Sequence, residues 1–275
     1  MTDTTGTECQ EDPEGRLTDR AFWESTWSSG AEGETAAPRW RSFADIELWD
    51  RLLPPLLRPL AGGRVLEVGC APGRNLRRLA ERFGLDPWGV EYTPAGAERT
   101  RGVLRSLGRP TDQVIEGDFF APGWAPAQPF DVVVSFGFVE HFSDPAEVVA
   151  RHLALLRPGG ALVVTLPNLR GLNGKLTGWL NPGLLAGHNL DVMTTAAVRS
   201  LVAEADAEVA FCGGYGGLDV GCLTASSRST RLALRGLRVG QWGLNRVLGA
   251  LPASAVPRGG CHSPYFALLA TRRAG

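Results

Sequence analysis

Between residues 64 and 168 the apolar positions follow two alternating rhythms. Stretches that are apolar almost throughout, residues 64–70, "PWGVEYT", "DQVIEGDFF", "FDVVVSFGF" and "ALVVTLPN", read as strands buried on both faces. Between them, apolar residues return at helical spacing: Leu76, Leu79, Ala80 and Phe83 stand at i, i+3, i+4 and i+7. "PAGAERTRGVLRSLG" predicts a second helix with Pro94 near its first turn. "SDPAEVVARHLALLRPGG" predicts a third, with Asp144 as N-cap, Pro145 at N1, Glu147 in the capping-box position, and Pro158 with two glycines as its stop. Strands of this kind alternating with helices imply an α/β domain on a mainly parallel sheet, covered on both faces.

The flanks differ. Residues 1–15 lack periodicity and read as a mobile acidic tail. Residues 16–60 read as a helical cap of two helices, "LTDRAFWESTW" and "FADIELWDRLLPPLL", the second ending near Pro54 and Pro55. The main domain then runs over residues 61–275, with insertions at about 169–193 and 218–258. Between and after these fall a short helix, "TTAAVRSLVAEA", and two strands, "AEVAFCGGYGG" and "SPYFALLATRR". Residues 230–252 are basic and amphipathic, which in principle suits a membrane surface. The expectation is instead a helical insert packed on the sheet and on the acidic N-terminal region.

Composition adds limits. The apolar fraction of 44% is ordinary for a globular chain. No apolar run approaches the roughly 20 residues that span a bilayer, and the acidic start is unlike a signal peptide, so a cytoplasmic location is expected. Five cysteines without C-x-x-C spacing suggest neither a disulfide framework nor a zinc knuckle, and read as free thiols. The formal charge of −1 argues against a nucleic-acid partner. The first fifty residues are acidic, whereas no Asp or Glu follows Asp219.

Candidate chemistry begins at "VLEVGCAPGRN". A glycine turn after the first strand of a βαβ unit presents backbone N–H groups and a helix N-terminus to a ligand. Here Gly69 and Gly73 flank Cys70, Ala71 and Pro72, and Glu67 lies two residues before the first glycine. A carboxylate there repels a pyrophosphate and welcomes an ammonium group. Glu91 closes the second strand about twenty residues on, where an acid accepts from ribose hydroxyls. Asp118 closes the third, placed to accept from an adenine amino group, with Phe119 beside the ring; Glu140 follows the fourth. Each acid alone would be an ordinary strand-end residue. Together, in this order, they suit a nucleoside with a positively charged tail.

The series "VLEVGCAPG", "GVEY", "EGDFF", "FDVVVSFGFVEHF" and "LLRPGGALVVTLPN" resembles the ordered motifs of class I S-adenosylmethionine-dependent methyltransferases. The resemblance implies a Rossmann-like fold with a seven-stranded, mainly parallel sheet, its last strand antiparallel, and S-adenosylmethionine as cofactor. It implies that Glu67, Gly69, Ala71 and Gly73 border the methionine end, Glu91 the ribose, Asp118 and Phe119 the adenine, and Phe136 and Gly137 the floor near the sulfonium. Ala71 departs from the usual middle glycine of this turn.

Methyl transfer needs alignment, and a base where the acceptor must lose a proton. His141 in "VEHF" and His188 in "GHNLDVMT" resemble the histidine motifs of ubiquinone-type small-molecule O-methyltransferases, which makes them the candidate bases and puts Asn189 and Asp191 at the acceptor pocket. Related enzymes with an ExxEH motif bind a divalent metal; Gly137 replaces the leading Glu, so no metal is expected. His152 and His262 read as structural. Trp23, Trp27, Trp40, Trp49 and Trp179 are candidates for a cap over the acceptor or for the core, with Trp27 assigned to the acceptor pocket.

No DPPY-like or PC-containing motif of nucleic-acid methylation occurs, and Lys175, the only lysine, cannot complete a Lys-Asp-Lys-Glu set. A small-molecule acceptor, no nucleic acid and O-methylation in specialised metabolism are therefore expected. The alternatives are N- or carboxyl-methylation of a small molecule or peptide, a non-catalytic S-adenosylmethionine-binding protein, and a nicotinamide oxidoreductase. The last would need a pyrophosphate turn or a Tyr-x-x-x-Lys pair, which is absent.

Overall fold

The computed structural model describes residues 15–29, 42–122, 124, 126–217, 223–251, 258–259 and 261–274. The expected acidic tail up to residue 14, Trp40, Cys9 and Cys222 lie outside them. In chain order the elements are α1 (Arg20–Ser28), α2 (Phe43–Ile46), a π-helical turn (Glu47–Leu52), α3 (Leu53–Leu57), β1 (Arg64–Val68), α4 (Arg74–Phe83), β2 (Asp86–Glu91), α5 (Pro94–Ser106), β3 (Val114–Glu116), β4 (Phe130–Phe136), α6 (Pro145–Ala154), β5 (Leu156–Pro167), α7 (Gly171–Leu180), α8 (Thr195–Ser200), β6 (Ala207–Tyr215), α9 (Arg228–Ala250) and β7 (Tyr265–Arg272).

The strands form one seven-stranded sheet in the order β3-β2-β1-β4-β5-β7-β6. β1 to β5 pair in parallel, and β7 is antiparallel to both its neighbours. Successive residues divide between the faces as a strand requires. Leu162, Val164 and Leu166 of β5 pack with Val133, Phe266 and Leu268 on one side. Ala161 and Val163 pack with Val132, Val134 and Leu269 on the other. The chain reverses strand order between β1 and β4, and ligands of open α/β sheets bind outside the C-terminal strand ends at such a point.

Several element boundaries differ from the periodicity, each for a local reason. The helix of the cap does not stop at Pro54 and Pro55 but continues to Leu57. In the π-helical turn before it the Leu53 N–H reaches the Leu48 carbonyl, five residues back; the widened turn relieves the clash of proline rings with preceding carbonyls. The Pro158-Gly159-Gly160 stop lies inside β5: Leu156 pairs with Phe130 and Ala161 with Val132, so the intervening residues bulge from the ladder. Arg157 Nε holds the bulge by donating to Asp131 Oδ1 at 2.6 Å. β3 is only three residues long, because Asp118 turns the chain by accepting the Phe120 N–H at 2.8 Å. α8 ends at Ser200, where the backbone bonds tighten to i, i+3 spacing, as in Ala203 N–H to Ser200 at 3.1 Å.

α9 is helical as expected and meets the N-terminal region as expected, but its second seat is α7 rather than the sheet. It packs on the cap and on α7: Leu248 and Leu244 meet Phe43, and Leu234 meets Leu180 and Leu223.

Candidate functional site

A cavity of about 1830 Å³ opens above the C-terminal ends of β1, β2 and β4. The strand-end residues form one wall. β1 delivers Glu67, 2% exposed, whose Oε1 accepts from Asn75 Nδ2 at 2.9 Å while Oε2 has no partner among the described residues. Burial pushes its carboxyl up to about 8, against the smaller opposing effects of Asn75 and Arg74. A buried carboxyl with a free oxygen is a receptor for a cationic donor. Gly69 and Gly73 hold the turn with φ of +69° and +89°. A Cβ on Gly69 would lie 2.7 Å from the Phe138 ring, and one on Gly73 3.1 Å from α5, so both positions need glycine on steric grounds as well. Ala71 lines the cavity beside them, whereas the Gly73 backbone closes against α5.

Glu91 ends β2, in register with Glu116 of β3. Its Oε1 accepts from the Thr93 hydroxyl at 2.6 Å and amide at 3.0 Å, and burial raises its pKa. Asp118 follows β3, and here the structure adds a residue that the sequence did not signal. Arg16 Nη2 lies 2.6 Å from each Asp118 oxygen. The Arg16 guanidinium also lies over the Tyr92 and Phe120 rings. Backbone pairing of residues 15–17 with 141–143 fixes it there: the Leu17 N–H donates to His141 and the Ser143 N–H to Gly15, both at 2.8 Å. Phe119 borders the cavity, with its ring edge-on to Phe120, Trp124, Phe138 and His152. Phe136 lines the floor, stacked on Trp49 with centroids 5.7 Å apart.

The opposite wall comes from distant segments. His141 follows β4, and His188 ends the irregular turn after α7; their ring centroids are 4.4 Å apart. His141 Nδ1 lies 2.8 Å from the Gly187 carbonyl and His188 Nδ1 2.7 Å from that of Leu184. A carbonyl only accepts, so each Nδ1 carries the proton and each neutral ring keeps its Nε2 lone pair. Burial and the neighbouring His188 push His141 down to about 4, and burial lowers His188 as well. Glu140, 1% exposed, has an Oε2 without a partner among the described residues, and burial raises its carboxyl to about 8. Glu140, His141 and His188 each offer one atom to a set within 4.8 Å, a grouping that can hold a metal ion. The expectation of no metal rested on Gly137 alone and did not anticipate this convergence.

Trp27 is buried and stacked on Trp23, whose ring meets His141 edge-on at 5.0 Å. Trp23, Trp27 and Trp49 all line the cavity, as does the stacked pair Tyr215 and Tyr265 from the ends of β6 and β7. Trp179 is instead 60% exposed. Two assignments are corrected. Asn189 donates through Nδ2 to the carbonyls of Phe142 and Ser143, and Asp191 is fully exposed beside Arg170. Neither side chain lines the cavity, because Asn189 is used to pin its loop to the turn after β4. His152 is fully buried in the Phe119 and Phe138 cluster, as a structural residue would be.

A methyltransferase-domain family model matches residues 40–210, more than half of the 275 residues. A tRNA U34 carboxymethyltransferase from Trichlorobacter lovleyi is 37% identical over 139 residues, covering 49% of this chain and 39% of that protein. A ubiquinone biosynthesis O-methyltransferase from Thiobacillus denitrificans is 36% identical over 104 residues, covering 37% of this chain and 43% of that protein. The chain thus spans less than half the length of these relatives. Among solved structures, the [4+2]-cyclase SpnF superposes with a TM-score of 0.59 at 17% identity, covering 93% of this chain and 95% of that one. Strand order, a glycine turn with its free buried acid and the extent of the family match agree: the chain belongs to the class I S-adenosylmethionine-dependent methyltransferases.

Proposed function

We propose that this chain methylates a small-molecule acceptor, at oxygen, in specialised metabolism. One observation carries the reading: the nucleoside-side acids and a pair of neutral histidines line a single cavity. S-Adenosylmethionine, when bound, supplies an electrophilic methyl group on a sulfonium. Glu67 and the glycine turn would hold its amino-acid end, Glu91 its ribose hydroxyls, and Asp118 with Phe119 its adenine. The Nε2 atoms of His141 and His188 are free to accept a hydroxyl proton, and their depressed basicity keeps them neutral across the physiological range. Trp23, Trp27 and Trp49 exclude water and offer flat apolar contact to the acceptor.

The test is methyl transfer across phenols, carboxylic acids, amines and unmodified tRNA, read by mass spectrometry. A product one methyl heavier from a hydroxyl acceptor, lost in His188→Ala, is expected. Methylation of tRNA, or of amines alone, would replace this reading.

The convergence of Glu140, His141 and His188 favours a second reading, in which these residues hold a divalent cation that would polarise an acceptor oxygen. Dialysis against a chelator separates the two: turnover that survives and does not respond to added Mg²⁺ or Zn²⁺ leaves the histidines as bases.

A further inference from the structure

Among the described residues, large apolar side chains are exposed in a concentrated way. Of the nine that are exposed, five lie on α9, Leu232, Leu237, Val239, Trp242 and Val247, and two, Leu172 and Trp179, on α7, which packs against it. α9 is 23 residues long, about 34 Å at 1.5 Å per residue. Its inner face is satisfied, with Leu234 and Leu248 buried against α7 and the cap. Its outer face is not. Leu232, Val239 and Trp242, at 70%, 73% and 50% exposure, share that face with Arg228, Arg231, Arg235 and Arg246. The helix carries no acidic residue, and none of these arginines has a carboxylate partner among the described residues.

We propose that the outer face of α9 docks on an anionic lipid bilayer. Arginines interleaved with aliphatic residues and a tryptophan are the composition of a helix lying in a membrane interface: guanidinium groups reach phosphate while the apolar side chains enter the acyl boundary. Nucleic acid is the poorer match, because phosphate contacts give no reason to expose Leu232, Val239 and Trp242 between the charges. A helix held to the fold by its other face is pre-organised for this contact. Arg238, Val239, Gln241 and Trp242 also line the cavity, so docking sets the cavity mouth at the lipid surface. If the proposed methyl transfer holds, the acceptor is then an amphipathic molecule drawn from the bilayer.

Co-flotation of the full chain with vesicles tests this without any turnover. Vesicles of phosphatidylcholine with phosphatidylglycerol should carry the protein, phosphatidylcholine alone should not, and raised salt should release it. The triple variant Arg228→Gln, Arg231→Gln and Arg235→Gln should lose partitioning on the order of a hundredfold. Leu232→Gln with Val247→Gln should weaken it with unchanged melting temperature and circular dichroism, which separates docking from folding. Failure to float with anionic vesicles overturns the proposal, and so does equal binding to both vesicle types that the arginine variant leaves unmoved. A dimer in light scattering that Leu232→Gln dissolves would make the face an interface between copies. A gel shift with tRNA that needs the same arginines, without vesicle binding, would make it an RNA surface.

Discussion

The two walls of the cavity are built by different means. On one side Glu67 and Glu91 lie at the ends of β1 and β2 and Asp118 just past β3, and their separation is set by strand register and the fixed spacing of a sheet. On the other, Trp23 and Trp27 come from α1, Trp49 from the π-helical turn, His188 from the loop after α7, Tyr215 and Tyr265 from β6 and β7, and Trp242 from α9. Nothing repeats along the chain to bring these together. They meet only because segments separated by more than two hundred residues pack on one another. A fold of this class can therefore keep its strand-end wall while exchanging the other, and the [4+2]-cyclase SpnF shares the architecture.

The contrast can be broken by substitution. The largest effect is expected from the acceptor wall: His188→Ala or His141→Ala should slow single-turnover methyl transfer by about 10²- to 10⁴-fold, the usual worth of a positioned base. S-Adenosylhomocysteine affinity, followed by calorimetry, should stay put, since neither ring belongs to the nucleoside wall. A loss of affinity instead would merge the two walls into one unit.

Glu91→Ala should do the reverse, weakening S-adenosylhomocysteine about a hundredfold by removing hydrogen bonds to a charged acceptor. At about 100 times the dissociation constant the ligand stabilises the wild type by roughly 2.7 kcal/mol, and a thermal-shift series should show that gain vanish in the variant. Retained stabilisation would remove Glu91 from the nucleoside wall.

Glu67 gives a smaller, pH-dependent effect. Its carboxyl, raised to about 8 by burial, is protonated at neutral pH in the free chain, whereas an ammonium partner requires it ionised. Affinity for S-adenosylhomocysteine should rise with pH, up to about tenfold per unit below 8, with release of a proton. Calorimetry in two buffers of different ionisation enthalpy reads this directly, and Glu67→Gln should abolish it. The same shift carries a sign for stability. The fold retains a proton that the unfolded chain loses near 4.5, so this contribution is complete below that pH and is lost as pH rises through about 8. In Glu67→Gln the slope of ligand-free stability over that window should flatten.

The smallest effect concerns Arg16, which holds the carboxylate expected to receive the adenine amino group. Releasing a partly exposed ion pair changes free energy by about 1 kcal/mol or less. Arg16→Ala should therefore tighten S-adenosylhomocysteine by up to about fivefold. Weaker binding would make Arg16 part of the nucleoside wall rather than a competitor for it.

The wall proposed to hold the nucleoside was legible in the sequence because its residues lie at strand ends, so one-dimensional spacing translates directly into position. Strand and helix boundaries failed where a local device overrode periodicity: the π-helical turn ahead of Pro54, the Arg157 bulge in β5 and the Asp118 turn after β3. On the other wall the two histidines were visible together as candidate bases, but their ring contact was not. Asn189 and Asp191 were misplaced because proximity in sequence to His188 says nothing about which side of a loop faces a cavity. Arg16 carried no signal at all, since its partner lies 102 residues away.

By itself the sequence determined the alternating α/β layout, the glycine turn and the ordered acids, all consequences of short-range periodicity and steric need. Only the tertiary structure decided that Arg16 sits on Asp118, that Glu140, His141 and His188 converge, and that α9 turns an arginine-rich apolar face outward. Those depend on which distant surfaces bury one another, and burial is a property of the packed chain rather than of any segment.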